Sequence, residues 1–270
     1  YSSRQIPLFP NPSFNYKAAA IDAEETLFVA ARTSATNSGS GIVARLPLDK
    51  SLGGKGIRVI AGRTPEQAPE SVTKSISANL ATIKGATAFA IAKDGNIFFA
   101  DGRGNTIRKV SWDTERKGHY IETIGGTGDS GSPIDSDRAL DVPFHYPQGI
   151  ALAPDGSLYI ADTSNDVIRH MYQEPGDNHY RVRTIAGGGS NKSLEDMEAS
   201  EAQLNTPVGL RVLPSGDLLV AAQRSNILRL VYLDDDGIHR IRVAAGDGTR
   251  VRLDTDQPKP EGLGLGYPVD

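Results

Sequence analysis

Pro147-Gln148-Gly149 opens a sequence pattern that continues through the turn Pro154-Asp155-Gly156 and the run Leu158-Tyr159-Ile160-Ala161-Asp162 to Val167-Ile168-Arg169. The pattern ends at Thr184-Ile185-Ala186-Gly187 and occurs four times along the chain. Its arginine recurs at steps of 63, 61 and 60 residues, as Arg45, Arg108, Arg169 and Arg229. Self-similarity at such a fixed period is typical of a stacked or circular repeat array. We therefore interpret residues 1–270 as a single repeat domain.

Each copy of the pattern contains four segments with strand character. The first is apolar and small, the second is aromatic and β-branched, the third carries the arginine, and the fourth precedes the closing glycine. Asp94-Gly95, Asp155-Gly156 and Ser215-Gly216 supply two-residue turns between the first two segments. Helical periodicity is nowhere sustained. The sequence therefore predicts an all-β fold, a β-propeller of four-stranded antiparallel blades.

The pattern resembles the NHL-repeat family of β-propellers. The resemblance rests on the Pro-x-Gly-Ile-Ala opening, the Asp-Gly turn, the Leu-Tyr-Ile-Ala-Asp strand, the Asn-x-x-Ile-Arg segment and the closing Ile-Ala-Gly-Gly-Gly. It places repeats at about 14–62, 84–126, 146–189 and 206–248, with 249–270 as the run-up to a fifth repeat or a closure segment. The family implies about six blades. We therefore expect part of a larger six-bladed ring, completed by further blades or by self-association, rather than a closed four-bladed one.

Composition argues against several kinds of function. The 270-residue chain has a net charge of −4, which disfavours nucleic acid as a partner. No apolar run reaches the roughly 20 residues of a membrane helix, and the absence of cysteine excludes thiol chemistry. Because the chain begins at Tyr1 rather than at a methionine, we expect a processed protein or an excised domain. We expect it to be extracellular or periplasmic.

Three histidines recur at the repeat period, as His119, His179 and His239. Three imidazoles could bind zinc, but equivalent positions on successive blades lie apart, on the outermost strand. We therefore predict packing roles for them. The recurring arginines are interpreted in the same way, as contacts to backbone carbonyl groups between blades. A ring of anion-binding arginines is the alternative.

The central channel is where propeller enzymes hold metal ions and catalytic groups. Amidating lyases and lactonase-like hydrolases, whose six-bladed architectures are related to that of the NHL-repeat family, use carboxylates, Asn and His near the axis. The first strands of this chain carry small and apolar residues, with Lys17 and Arg211 as polar exceptions. Acid–base or metal chemistry needs suitable groups within reach of one another. We therefore predict no catalytic residue, metal ion or cofactor here, although an enzyme stays the alternative.

The connections between strands carry the predicted binding site. The loops from second to third strands share one face with long linkers, about 63–83, 127–146, 188–206 and 247–268, which are acidic and contain aromatic residues. Long irregular loops are usually functional or disordered, and packing around the blades is the alternative. The predicted binding residues are Asp101, Arg103, Asn105, Phe144, His145, Tyr146, Asp162, Asn165, Arg224 and Tyr267. We expect a non-enzymatic recognition or assembly protein that binds a protein or carbohydrate partner through this face.

Overall fold

The computed structural model describes residues 14–21, 26–33, 41–47, 58–62, 76–78 and 81–248. Its regular elements in these ranges are β-strands and short 3-10 helical turns, so the predicted all-β class is confirmed. The strands form four antiparallel sheets, one for each copy of the sequence pattern. Among the described residues, no helix has the length and apolar character required to cross a membrane.

The sheets follow one another along the chain. The first holds β1 Phe14–Ile21, β2 Thr26–Thr33, β3 Gly41–Pro47 and β4 Arg58–Ala61. The second holds β5 Ile76–Ser77, β6 Ala86–Ile91, β7 Ile97–Asp101, β8 Thr106–Asp113 and β9 Gly118–Gly125. The third holds β10 Gly149–Leu152, β11 Leu158–Asp162, β12 Val167–Tyr172 and β13 Arg181–Gly187. The fourth holds β14 Met197–Glu198, β15 Pro207–Val212, β16 Leu218–Ala222, β17 Ile227–Leu233 and β18 His239–Ala245.

The hairpin turns between the first two strands of the later blades form as the sequence predicts. Gly95, Gly156 and Gly216 adopt φ values of 82°, 89° and 94°, which glycine reaches without steric cost. In the third blade the Asp155 carboxylate accepts a hydrogen bond from the Ser157 amide at 2.9 Å. These local bonds fix the register in which the strands pair.

The apolar core lies between neighbouring blades. The innermost strands β1, β6, β10 and β15 are adjacent in turn, and apolar side chains fill the space between each blade and the next. The third and fourth blades, for example, share a cluster that contains Ile168, Leu204 and Val220. Repeated four-stranded sheets that pack side by side in this way are the blades of a β-propeller, as predicted.

The linkers run along the outer edges of the blades. β5 pairs with β9 and β14 pairs with β18, so the linkers that arrive at the second and fourth blades each supply a fifth, outermost strand. At the third blade, Ser136 forms an isolated antiparallel bridge with Val182 of β13. The described linkers are therefore packed against the blades in part, rather than lying wholly on one face.

A β-bulge directs the recurring arginine into the interior. The strand register shifts immediately before Arg108, Arg169 and Arg229, whose side chains are buried. Bulges commonly change the direction of a side chain in this way. Arg169 donates to the carbonyl of Ile134, and Arg229 donates to the carbonyl of Ser193 at 3.0 Å. These two arginines thus bind backbone carbonyl groups, but the acceptor lies on the linker that packs along the outer edge of the same blade, and not on the neighbouring blade as the sequence predicts.

Candidate functional site

Three 3-10 turns connect the second and third strands of the later blades. They span Gly102–Gly104, Thr163–Asn165 and Gln223–Ser225. Each is followed by a residue in the left-handed region, with φ of 52° at Asn105, 55° at Asp166 and 52° at Asn226. Asn and Asp tolerate this conformation better than other residues that carry a side chain. We call the surface formed by these turns and the residues that lead into each first strand the turn face.

Buried carboxylates hold the turn face in shape. Asp101 accepts hydrogen bonds from the amides of Lys84 at 3.1 Å and Gly85 at 2.6 Å. At the equivalent position, Asp162 accepts from the His145 amide at 2.7 Å and from the Asn165 side chain at 2.8 Å. Burial raises the pKa of both carboxyl groups, and these hydrogen bonds oppose the rise. The acids are therefore structural and lie beneath the surface.

The fourth blade builds the same turn without a carboxylate. Ala222 stands where the earlier blades carry Asp101 and Asp162. A hydrogen bond of 3.0 Å from the Asn205 side chain to the Ser225 hydroxyl connects the turn to the residues that lead into the blade. An amide–hydroxyl pair thus takes over a connection that buried acids make in the other two blades.

Side chains of the turn face also join one blade to the next. The side-chain oxygen Oδ1 of Asn105 accepts a hydrogen bond from the backbone amide of Tyr146 at 2.9 Å. In the same way, a carboxylate oxygen of Asp166 accepts a hydrogen bond from the backbone amide of Thr206 at 2.7 Å. The Thr163 hydroxyl donates to the Pro207 carbonyl at 2.7 Å. These bonds recur at the repeat period, so they position each lead-in segment relative to the blade before it.

A threonine on a different strand supplies the hydroxyl in the second blade. Gly102 occupies the position of Thr163, and a Cβ there would lie 2.9 Å from the Pro147 carbonyl oxygen. The Thr87 hydroxyl, from β6, donates to that carbonyl at 2.8 Å instead. The repeat pattern did not reveal this pair because the two threonines occupy different positions in the pattern.

The structure divides the ten predicted binding residues into three groups. Arg103, His145 and Arg224 are exposed on the turn face, and Tyr146 is half-buried there. The side chains of Asn105 and Asn165 are half-buried and form hydrogen bonds within the fold. The third group contains Asp101, Asp162 and Phe144, which are buried, and Tyr267, which lies outside the described residues.

Phe144 corrects the sequence-based expectation most clearly. Its side chain is 0% exposed and belongs to the apolar cluster between the second and third blades, with Ile107 and Ile150. It lies in a linker, yet the linker turns inward at this point. Phe144 therefore cannot contact a partner in the folded protein, and neither can the buried carboxylates of Asp101 and Asp162.

The acidic character expected of the linkers is also reduced by internal pairing. Asp137 binds Arg181 at 3.0 Å and also contacts Arg183. Asp196 binds Arg240 at 3.2 Å and contacts the Tyr232 hydroxyl. Hydrogen bonds to these partners lower the pKa of both carboxyl groups. These acids attach linkers to the outer strands of their own blades.

The turn face instead presents basic groups. Exposed Arg103 and Arg224 occupy the same position in their respective turns, where the third blade has exposed Ser164. Lys84 is exposed beside the first of these turns. It was not among the predicted binding residues, because lysine does not recur at this position of the repeat, which holds His145 and Asn205 in the later blades. The stem of Arg103 packs over Gly85, where an added Cβ would lie 3.4 Å from the arginine Cδ.

The periodic histidines occupy separate blades. His119 and His239 lie in β9 and β18, and His179 lies just before β13. The imidazole of His119 packs edge-on against Trp112 at 5.0 Å between ring centroids, and His179 lies 3.7 Å from Asp177. Within the described ranges, no group of three His, Asp or Glu side chains is arranged to hold a metal ion.

The buried carboxylate gives a pH-dependent prediction. Since the folded pKa of Asp162 lies above 3.8, the folded state retains its proton at a pH where the unfolded state has lost it. Stability from this group should therefore be largest below 3.8 and fall as pH rises through the raised pKa. Urea denaturation measures the free energy of unfolding of the wild type and of Asp162→Asn. The wild-type value minus the variant value should decrease with rising pH. A difference that grows with pH would show that the hydrogen bonds outweigh burial.

Several known proteins are similar to this chain in sequence. The sequence pattern of the Teneurin NHL domain matches residues 47–172. Mouse Teneurin-3 is 28% identical over 258 residues, which cover 88% of this chain and 8% of that protein. Protein SUPPRESSOR OF QUENCHING 1, chloroplastic, from Arabidopsis thaliana is 32% identical over 144 residues, 51% of this chain and 13% of that protein. The chain thus spans only a small part of these relatives.

A solved structure has a similar fold. An auxiliary nutrient binding protein from Bacteroides thetaiotaomicron superposes with a TM-score of 0.54 at 15% identity. The superposition covers 84% of this chain and 47% of that chain. At this level of identity the similarity concerns the fold alone.

Proposed function

Because this chain belongs to the NHL-repeat family, as its sequence pattern predicts, we propose that it is a non-enzymatic recognition protein. It binds a protein or carbohydrate partner through the turn face, in an extracellular or periplasmic setting. The long linkers contribute less to this surface than the sequence alone predicts, because parts of them pack along the outer blade edges. The proposed partner is one that carries carboxylate groups.

The placement of Arg103 and Arg224 is the observation that supports this proposal. Both are exposed at the same position of equivalent turns, and the backbone of each turn is fixed by side-chain hydrogen bonds. A guanidinium group presents a planar set of donors that matches a carboxylate. Two such groups on ordered turns, with exposed His145 between them in sequence, suit an acidic peptide or a uronate-containing glycan.

The alternative function is a lyase or lactonase-like hydrolase with a metal ion in the central channel. Such a site needs carboxylate, histidine or amide ligands on the innermost strands. The described side chains of β6, β10 and β15 are apolar or hydroxyl-bearing, apart from exposed Arg211. These strands therefore favour recognition over catalysis.

The proposal predicts a loss of binding when the two arginines are removed. Arg103→Ala combined with Arg224→Ala should weaken binding of a glutamate-rich peptide or a uronate oligosaccharide by about tenfold or more, since interface arginines often contribute above 1 kcal/mol each. Titration calorimetry with both probes measures this.

Arg116→Ala is the matched control for this prediction. Arg116 lies in the hairpin between β8 and β9, at the opposite end of the strands, with its side chain 60% exposed. The Arg116→Ala variant should bind both probes with unchanged affinity. An equal loss in this control would show that the effect is one of general charge, and unchanged affinity in the double variant would contradict the proposal.

A further inference from the structure

The fourth blade has an exposed apolar face where the preceding blades are covered. Leu228 is 37% exposed, whereas its equivalents Ile107 and Ile168 are both 0% exposed. Ala245 is exposed as well, and its equivalent Ala186 is buried. A shallow groove of about 320 Å³ lies here. It is lined mainly by small and apolar residues, with two polar ones, namely Ala221, Ala222, Gln223, Asn226, Ile227, Leu228, Ala245 and Gly246. A face of this composition is suited to bind an apolar segment.

The preceding blades show what covers this face. Ile107 packs in a cluster with Phe144, and Ile168 packs in a cluster with Leu204. Phe144 and Leu204 each stand two residues before the residue whose amide binds the left-handed turn residue, Tyr146 or Thr206. The covering element is therefore the lead-in segment of the following blade, which supplies one apolar side chain and one backbone donor.

The sequence beyond the fourth blade repeats this segment. Tyr146 follows its acceptor Asn105 by 41 residues, and Tyr267 follows Asn226 by the same 41. Leu265 stands two residues before Tyr267, as Phe144 and Leu204 stand before theirs. Pro268 follows directly, matching Pro147 and Pro207. The apolar residue, the donor and the proline thus occur in the required order and spacing.

We propose that the exposed face of the fourth blade binds the segment 265–268 of this chain. In this arrangement Leu265 covers Leu228 and Ala245, and the Tyr267 amide donates to the Asn226 side chain, which is exposed. The segment thereby starts a further blade, and the face is a site of propeller assembly. The exposed face adjoins the turn face at Asn226, but this proposal does not depend on the proposed function, because it needs neither Arg103 nor Arg224.

Cross-linking in the full chain tests this arrangement, since the chain has no cysteine of its own. Asn226→Cys with Tyr267→Cys should form an intramolecular link with a short bismaleimide reagent. The yield should be close to that of the reference pair, Asn105→Cys with Tyr146→Cys, whose two positions are hydrogen-bonded at 2.9 Å. Adding Leu265→Asp to the test pair should lower the yield severalfold, because the charged side chain cannot cover the apolar face.

Each outcome of this experiment decides the proposal. A high intramolecular yield that depends on Leu265 supports it. Links between molecules, seen as dimers in a denaturing gel, would show that a second copy covers the face and would overturn it. A yield that Leu265→Asp does not change would also overturn it, because it would reflect random encounters of the two cysteines. Thermal unfolding of the Asn226→Cys variant checks that the blades stay folded.

Discussion

Phe144→Ala is expected to lower the free energy of unfolding by about 3–5 kcal/mol, the usual cost of deleting a buried aromatic side chain. Phe144 is fully buried between the second and third blades, and a Cβ added to Gly125 would lie 3.5 Å from its ring. Alanine would leave a cavity in the apolar cluster that these two blades share. Urea denaturation followed by circular dichroism measures the change.

Trp112→Ala is the matched control for Phe144. Trp112 is also a large aromatic residue, but it is 56% exposed near the end of β8. Its replacement should cost about 1 kcal/mol or less. If Phe144→Ala cost as little as the control, the inward turn of the linker at this position would be wrong.

Arg169→Ala is expected to cost about 2–4 kcal/mol, since it combines a cavity with unpaired hydrogen-bonding groups. The side chain is 0% exposed, and Nη1 donates to the Thr184 hydroxyl at 2.8 Å. It also binds the Ile134 carbonyl and lies 3.5 Å from Asp135. Removing it would therefore release the linker from the outer edge of the third blade.

Two further variants separate the causes of this loss. Arg169→Met keeps most of the buried volume, so it should cost less than Arg169→Ala. Arg183→Ala removes a partly exposed arginine from the same blade and should cost about 1 kcal/mol or less. Equal costs for the alanine and methionine variants would assign the whole effect to the polar contacts. A loss below 1 kcal/mol for Arg169→Ala would contradict the structural role.

The regular part of the fold could be predicted because its causes are local. Glycines with positive φ at Gly95, Gly156 and Gly216 mark the hairpins, and alternating strand segments follow them. The role of the recurring arginines also followed from their period. Equivalent positions in successive blades have equivalent neighbours, so a residue that recurs at the blade period is expected to have a structural role.

The linkers could not be predicted equally well because their burial depends on distant residues. Phe144 looks like an exposed aromatic until it is aligned with Leu204, which occupies the same place before the next blade and is also buried. Two apolar residues at one position of the repeat would have indicated burial. The position of Asp101 and Asp162 becomes Ala222 in the fourth blade, which hid its structural role.

The charge of the proposed binding surface likewise depends on pairing that only the structure reveals. Linker acids such as Asp137 and Asp196 contact arginines of the outer strands. Exposed basic groups, Lys84, Arg103 and Arg224, are left on the turn face. A surface expected to be acidic thus offers cationic groups, which favour a partner that carries carboxylates.

Titration calorimetry followed by mass spectrometry of the recovered probe tests the proposed function most directly. The glutamate-rich peptide and the uronate oligosaccharide are each titrated into the protein. Each probe is then recovered, and its mass is measured by mass spectrometry. We predict saturable binding of at least one probe, its recovery with unchanged mass, and loss of binding in the Arg103→Ala, Arg224→Ala variant. A probe recovered with a cleaved or eliminated bond would show an enzyme, and no saturable binding of either probe would contradict recognition of carboxylates by the turn face.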